Sequence, residues 1–178
     1  RSTVLANIVY LEEPMNSENV IGYIPGSEKP NEFIYITAHY DHIGVIGNEV
    51  YNGADDDGSG TVGVLELAEA FAFARAQGQG PKRSIVFMTV AGEEKGLLGS
   101  QFYTSNPSFP INNTVCDLNI DMIGRVDNAH KKDSNYIYVI GADKISSDLH
   151  EINEKMNTEY THLNLGYTYN SPSDPNRF

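Results

Sequence analysis

Hydrophobic residues fall along this chain in several short runs and one long one, separated by clusters of turn-forming Gly, Pro, Asn and Asp. The runs 33–38, 85–91, 115–120 and 136–140 are nearly continuous and rich in β-branched or aromatic residues. Strands covered on both faces have that composition, so these four are predicted to be central strands of a sheet. Segments 3–10 and 19–24 flank the polar stretch 12–18 and are predicted to pair at a sheet edge. Segment 59–77 is apolar apart from a few residues that include Glu66, Glu69 and Arg75, and it runs into Gly78, Gly80 and Pro81. It is too long for a strand and is predicted to be a buried helix with clear stop signals. Further on, Ile145, Leu149, Ile152, Met156 and Tyr160 recur at spacings of four, three, four and four. That spacing predicts an amphipathic helix, with His150 on its polar face.

Strands alternating with helices imply an α/β fold, specifically a three-layer sandwich with a mixed, largely parallel central sheet between helices. A length of 178 residues suits one such domain. The chain starts at Arg1, and its end, Ser171-Pro172-Ser173-Asp174-Pro175-Asn176-Arg177-Phe178, has loop chemistry. A single domain over 1–178, truncated at its C-terminus, is therefore expected.

Charge and cysteine content narrow the partners. Asp and Glu number 24 against 12 Lys and Arg, a net charge of -12, which opposes a nucleic-acid partner because phosphate is bound by Lys and Arg. No apolar run approaches the roughly 20 residues that cross a bilayer, and no segment resembles a signal peptide. The single cysteine, Cys116, lies in an apolar run and reads as a small core residue. One thiol can build neither a disulfide framework nor a thiolate metal site.

In open α/β sheets ligands bind beyond the carboxyl ends of the strands, so the residues just after each strand are the candidates for chemistry. The first central strand runs into His39-Tyr40-Asp41-His42, the second into Glu93-Glu94 and the third into Asp121. Gly53-Ala54-Asp55-Asp56-Asp57-Gly58-Ser59-Gly60 precedes the long helix. Taken singly, such residues are ordinary helix caps, turn residues or hydrogen-bonded histidines, and Asp143 after the fourth strand reads as a cap. Together, imidazole and several carboxylates without thiolate suit zinc or a similar divalent ion, with a further carboxylate free to act as general base. Glu93 and Glu94 could divide those two tasks. Asp41 could accept the second ring N–H of His39 and fix its orientation.

A competing pattern, Asp55-x-Asp57-x-Ser59-Gly60 through Glu66, matches the twelve-residue EF-hand calcium loop. An EF-hand needs a helix entering the loop, and segment 44–54, with three glycines and two asparagines, has no helical period. Glu66 is therefore expected to be an ordinary helix residue.

The motifs His39-Tyr40-Asp41, Gly53 to Gly60 as above, Gly92-Glu93-Glu94-x-Gly96-Leu97-x-Gly99-Ser100 and Asn119-Ile120-Asp121-Met122-Ile123-Gly124, in this order, resemble the co-catalytic zinc aminopeptidases of clan MH. That family is related to glutamate carboxypeptidase and glutaminyl cyclase. The resemblance spans most of the chain. It implies two zinc ions bridged by Asp56, with His39 and Asp121 completing one site and Glu94 in the other. It makes Glu93 the general base that acts on a metal-activated water, and it implies a cis peptide bond between Asp56 and Asp57. The expected substrate is a peptide with a free N-terminus, and the expected location is extracytoplasmic, secreted or periplasmic. The family's last ligand is a histidine in a C-terminal loop, and this sequence stops before any matching motif. His42 is expected near the site, His130 in the polar loop 127–134, and His150 and His162 on exposed surface, none of the four as a ligand. A one-zinc acyltransferase like glutaminyl cyclase, a carboxypeptidase and a non-catalytic domain of the same fold stand as alternatives. The Glu93-Glu94 and triple-Asp pattern favours the two-metal peptidase, and none of the matching positions is altered.

Overall fold

The computed structural model describes residues 16–170, in two compact units divided between Met122 and Ile123. The segment 3–10, expected to pair with 19–24, lies outside the described residues.

The first unit is built on a four-stranded sheet of β1 (Val20–Ile24), β2 (Lys29–His39), β5 (Arg83–Val90) and β6 (Thr114–Asn119) in the order β1-β5-β2-β6. β2 runs parallel to both β5 and β6, and β1 is antiparallel to β5. The sheet is thus mixed and largely parallel, as the alternation of strands and helices implied. Side chains alternate across it with period two. Ile36, Ala38, Ile85 and Phe87 gather with Ile24 and with Val64 of helix α1 (Gly58–Ala76). On the other face Phe33, Tyr35, Val86, Met88 and Val90 gather with Tyr103 of α2 (Leu98–Ser105), and the Tyr35 and Tyr103 hydroxyls, 2.9 Å apart, satisfy each other. A helix on each face gives the three layers.

Two expectations need correction here. α1 is not buried all round: Gly60 and Val64 face the sheet, with Ala68 and Phe71 partly covered, a stripe at helical spacing. Val62, Leu65 and Phe73 are 56%, 60% and 67% exposed, because the sheet covers one side of this helix and they lie off that side. β6 is likewise largely exposed, since it is an edge strand of the described sheet. Cys116 on β6 is half-buried, and burial pushes its thiol pKa up. Between β2 and α1 lies a hairpin, β3 (Gly44–Ile46) and β4 (Glu49–Tyr51), where an EF-hand would require a helix. Glu66 sits exposed on α1, as expected once that pattern is rejected.

In the second unit, β7 (Tyr136–Tyr138) pairs in parallel with β8 (Asn164–Gly166) in a sheet of its own. The run 136–140 is therefore a strand but not a central one; apolar composition marks a strand without naming its partner. α3 (Ser147–Met156) runs into a π-helical turn at Asn157–Thr161. Ile145, expected to open the stripe, precedes the helix and is 99% exposed. Asp143 is not the cap. Ser146 caps α3, its hydroxyl accepting from the Asp148 N–H at 3.1 Å, while Asp143 accepts from the Asn170 side chain at 2.9 Å. No helix among the described residues is long and apolar enough to cross a membrane.

Candidate metal centre

The parallel register decides what meets at the carboxyl edge of the sheet. His39 pairs with Val90 across β2 and β5, and Thr37 pairs with Asn119 across β2 and β6. Extending the strands brings Asp121 level with His39 and carries Glu93 just past it. His39 Nε2 lies 3.1 Å from Asp56 Oδ1, 3.9 Å from Glu93 Oε2 and 4.0 Å from Asp121 Oδ2. Beside this group, His42 Nδ1 lies 2.8 Å from Glu94 Oε1 and 4.0 Å from Asp56 Oδ2. Two sets, His39/Asp56/Asp121 and His42/Asp56/Glu94, each bring three ligand-type atoms within 4.8 Å of one another, and Asp56 belongs to both.

Asp57 ties these pieces together from below. It is fully buried, and its carboxylate accepts backbone N–H groups from three segments: His39 at 3.3 Å, Gly60 at 2.8 Å and Met122 at 3.2 Å. One side chain thus caps α1 and pins both the end of β2 and the turn that carries Asp121. Gly60 is required by that arrangement, because a Cβ there would collide with the Asp57 carboxylate and the Ile120 carbonyl. The Asp56-Asp57 peptide bond is cis, as the resemblance implied.

Asp41 works differently from the expectation. The acceptor for His39 Nδ1 is the Asp41 backbone carbonyl, at 3.0 Å, and the carboxylate stands 3.6 Å away. The carboxylate oxygens instead take the N–H groups of Glu93 at 3.0 Å and Glu94 at 3.2 Å, holding that turn against the histidine. Each carboxylate oxygen faces one of these N–H groups at hydrogen-bond distance, and at 3.6 Å Oδ1 stays beyond hydrogen-bond reach of the ring.

Burial and crowding shift the protonation of the site. Burial is the foremost influence on His39 and opposes its protonation, but Asp57, Asp121, the Asp41 carbonyl and Glu93 together outweigh it, and the net shift is upward. Burial raises Glu93, aided by Glu94, Asp121 and Asp41 against the pull of His39. Asp121 is also raised, by burial first and by its acidic neighbours next. Burial lifts Asp57 to about 6 even though Gly60 and Met122 donate to it. Among the described residues, the ion pairs of Asp56, Glu93, Glu94 and Asp121 run only to His39 and His42, with no Lys or Arg among them. Crowded carboxylates without a fixed cation, interleaved with imidazole and lacking thiolate, form a donor set that fits a divalent ion such as zinc. His42 Nδ1 and Glu94 Oε1 are moreover buried without a hydrogen-bond partner.

The structure thus gathers His39, Asp41, Asp56, Glu93, Glu94 and Asp121 at one edge. It adds Asp57 as the hub and draws His42 closer than the sequence reading had it. The triple Asp carried a signal for Asp57, an Asp three residues before a helical Gly, which is capping chemistry. The remaining histidines lie in the second unit. His130 bonds Asp127 at 2.8 Å and stacks on Tyr136, His150 is half-buried against Tyr167 rather than exposed, and His162 is exposed.

Fold and donor geometry together match the zinc-exopeptidase fold, a mixed sheet between helices with a cluster of metal-type ligands at its carboxyl edge. The chain belongs to Peptidase family M28, whose family model matches residues 19–178. It is similar to a probable zinc metalloprotease of Pyrenophora teres, 37% identical over 116 residues, covering 62% of this chain and 23% of that protein. It also resembles two solved structures. LapB from Legionella pneumophila is 32% identical with a TM-score of 0.62, covering 84% of this chain and 38% of that one. BSAP, a zinc aminopeptidase from Bacillus subtilis, is 27% identical with a TM-score of 0.60, covering 79% and 32%. The chain spans about a quarter of the length of the curated relatives it matches.

Proposed function

We propose that the protein is a zinc-dependent aminopeptidase that hydrolyses N-terminal peptide bonds. The observation that carries this reading is one carboxylate, Asp56, shared between two ligand-type groups, with Glu93 standing 3.9 Å from His39. In this assignment His39, Asp56 and Asp121 hold one ion, Asp56 and Glu94 hold part of the other, and Glu93 binds neither. Family membership and the likeness to BSAP, a zinc aminopeptidase, support zinc and an aminopeptidase activity over the other activities of the fold.

Zinc in these sites would acidify water toward a pKa of about 7 and polarise the scissile carbonyl. Glu93 takes the proton of the attacking water and returns it to the leaving amine as the C–N bond breaks. Burial moves its pKa upward, the direction that makes a carboxylate a better proton acceptor for this step. Asp41 holds the Glu93 backbone in place, and the Asp41 carbonyl keeps His39 Nε2 directed at Asp56. Crowded acidic groups beside the centre also favour a substrate that presents a free ammonium, the chemistry of a peptide N-terminus.

The test is hydrolysis of an aminoacyl anilide by the full-length protein, against the same anilide acetylated on nitrogen. Activity on the free amine alone, abolished by chelation and restored by zinc, is the expected result; equal cleavage of both would overturn the aminopeptidase reading. Because His39 is held above its ordinary pKa, protons compete with the ion as pH falls through neutrality. Chelation should therefore strip zinc more completely near pH 6 than near pH 8.

A further inference from the structure

We propose that Asn19 is a positioning residue for the general base, its amide clamping the neck of the loop that carries Glu93 and Glu94. The proposal rests on Glu93 as the base and adds to it a residue outside the metal centre, on the segment that leads into β1.

The loop runs from the end of β5 to the start of α2, and its neck is formed by Ala91 and Gly99, both buried. The Gly99 N–H donates to the Ala91 carbonyl at 2.8 Å, which closes one half of the neck. Asn19 closes the other half. Its Oδ1 accepts from the Ala91 N–H at 3.1 Å, and its Nδ2 donates to the Gly99 carbonyl at 2.8 Å. The side chain thus stands in for a peptide group, carrying the β1–β5 ladder beyond the pair of Val20 with Thr89. Among short side chains, an amide alone presents an acceptor and a donor from one rigid fork. Asp would turn a second oxygen toward the Gly99 carbonyl, and Gln reaches one methylene further. A Cβ at Gly99 would collide with Asn19 Oδ1 and the Ala91 carbonyl, so the glycine leaves open the space that the amide fills.

The backbone between the two halves of the neck explains why a clamp matters. Gly92 takes φ +69° and Gly96 φ +100°, and Leu97, which has a Cβ, takes φ +61°. Such conformations persist where the surroundings enforce them. Here the loop is held at two places: Asp41 takes the Glu93 and Glu94 N–H groups at the tip, and Asn19 takes the neck. The Glu18 carbonyl, one residue earlier, accepts from the Tyr40 hydroxyl, so the same segment is also tied to the loop that bears Asp41. Glu93 has no side-chain hydrogen bond of its own to fix it among the described contacts, and its place 3.9 Å from His39 Nε2 is set by the loop. A displacement of about 1 Å in a reacting group is enough to slow a proton transfer roughly 100-fold.

Kinetics of full-length Asn19→Ala and Asn19→Asp, each alone and combined with Glu93→Gln, decide the matter at saturating zinc and below the thermal transition of every variant. Each Asn19 variant alone should lower kcat about 10–100-fold, with KM moved less than about two-fold and bound zinc at the wild-type level. In the Glu93→Gln background the same substitutions should cost less than about two-fold, because no base is left to place. A residue that merely supported the fold would lower both backgrounds alike. Asn19→Asp keeps the bond to the Ala91 N–H, and it decides alone if Asn19→Ala does not fold. Losses that multiply in the double variants, an undiminished kcat, a change confined to KM, or a fall that tracks lost zinc would each overturn the proposal and leave Glu93 as the base. Full turnover by Glu93→Gln would instead remove the base itself, and the role of Asn19 with it.

Discussion

Glu93→Gln in the full-length protein is expected to lower kcat roughly 10²–10⁴-fold while zinc content stays at the wild-type level. The amide keeps the size of the carboxylate and leaves the backbone N–H that Asp41 holds at 3.0 Å untouched. What it removes is the ability to accept a proton from water and pass it to the leaving amine. Losing that transfer is worth about 3–5 kcal/mol of transition-state stabilisation. KM should move little, since binding of the peptide does not depend on proton transfer. Steady-state kinetics with metal analysis on the same sample checks this. A fall in activity that tracked lost zinc would make Glu93 a ligand, and undiminished turnover would remove it from the mechanism.

Asp56→Ala is expected to act on the metals rather than on the proton. This side chain is the only one common to both donor groups, so its removal should release both ions and abolish activity with them. The adjacent Asp57 still caps α1 and binds the His39 and Met122 N–H groups, so the fold itself should survive. The checks are zinc content after dialysis and the thermal transition of the metal-free variant set against metal-free wild type. Retention of two ions would refute the bridging role; retention of one would mean the groups are independent.

The two cases also show how far the sequence could be read. β2, β5, β6 and α1 were legible within a few residues, because their apolar runs are continuous and break off at polar or turn-forming residues such as His39, Gly92, Asp121 and Gly78. Strands that end in His39, Glu93 and Asp121 announced the site, since parallel strands must deliver their carboxyl ends to one edge. What failed was information held between segments. The partner of Tyr136–Tyr138 is Asn164–Gly166, a pairing that local composition does not encode. The β3–β4 hairpin did leave a local mark in Gly47-Asn48 between β-branched residues, and Gly47 takes φ +62° there. Asp41 and His42 were legible as site residues but not in their roles. Whether a carboxylate meets a ring or a backbone N–H, and whether an imidazole one turn further on closes on Glu94, depends on loop geometry that spacing alone leaves open.

The most direct test of a two-zinc centre is anomalous diffraction at the zinc absorption edge from crystals of the full-length protein. Two peaks are expected astride the Asp56 carboxylate, one between His39 and Asp121 and the other beside Glu94. Well-ordered density for these side chains with no anomalous peak at either position, from protein that hydrolyses aminoacyl anilides, would contradict it.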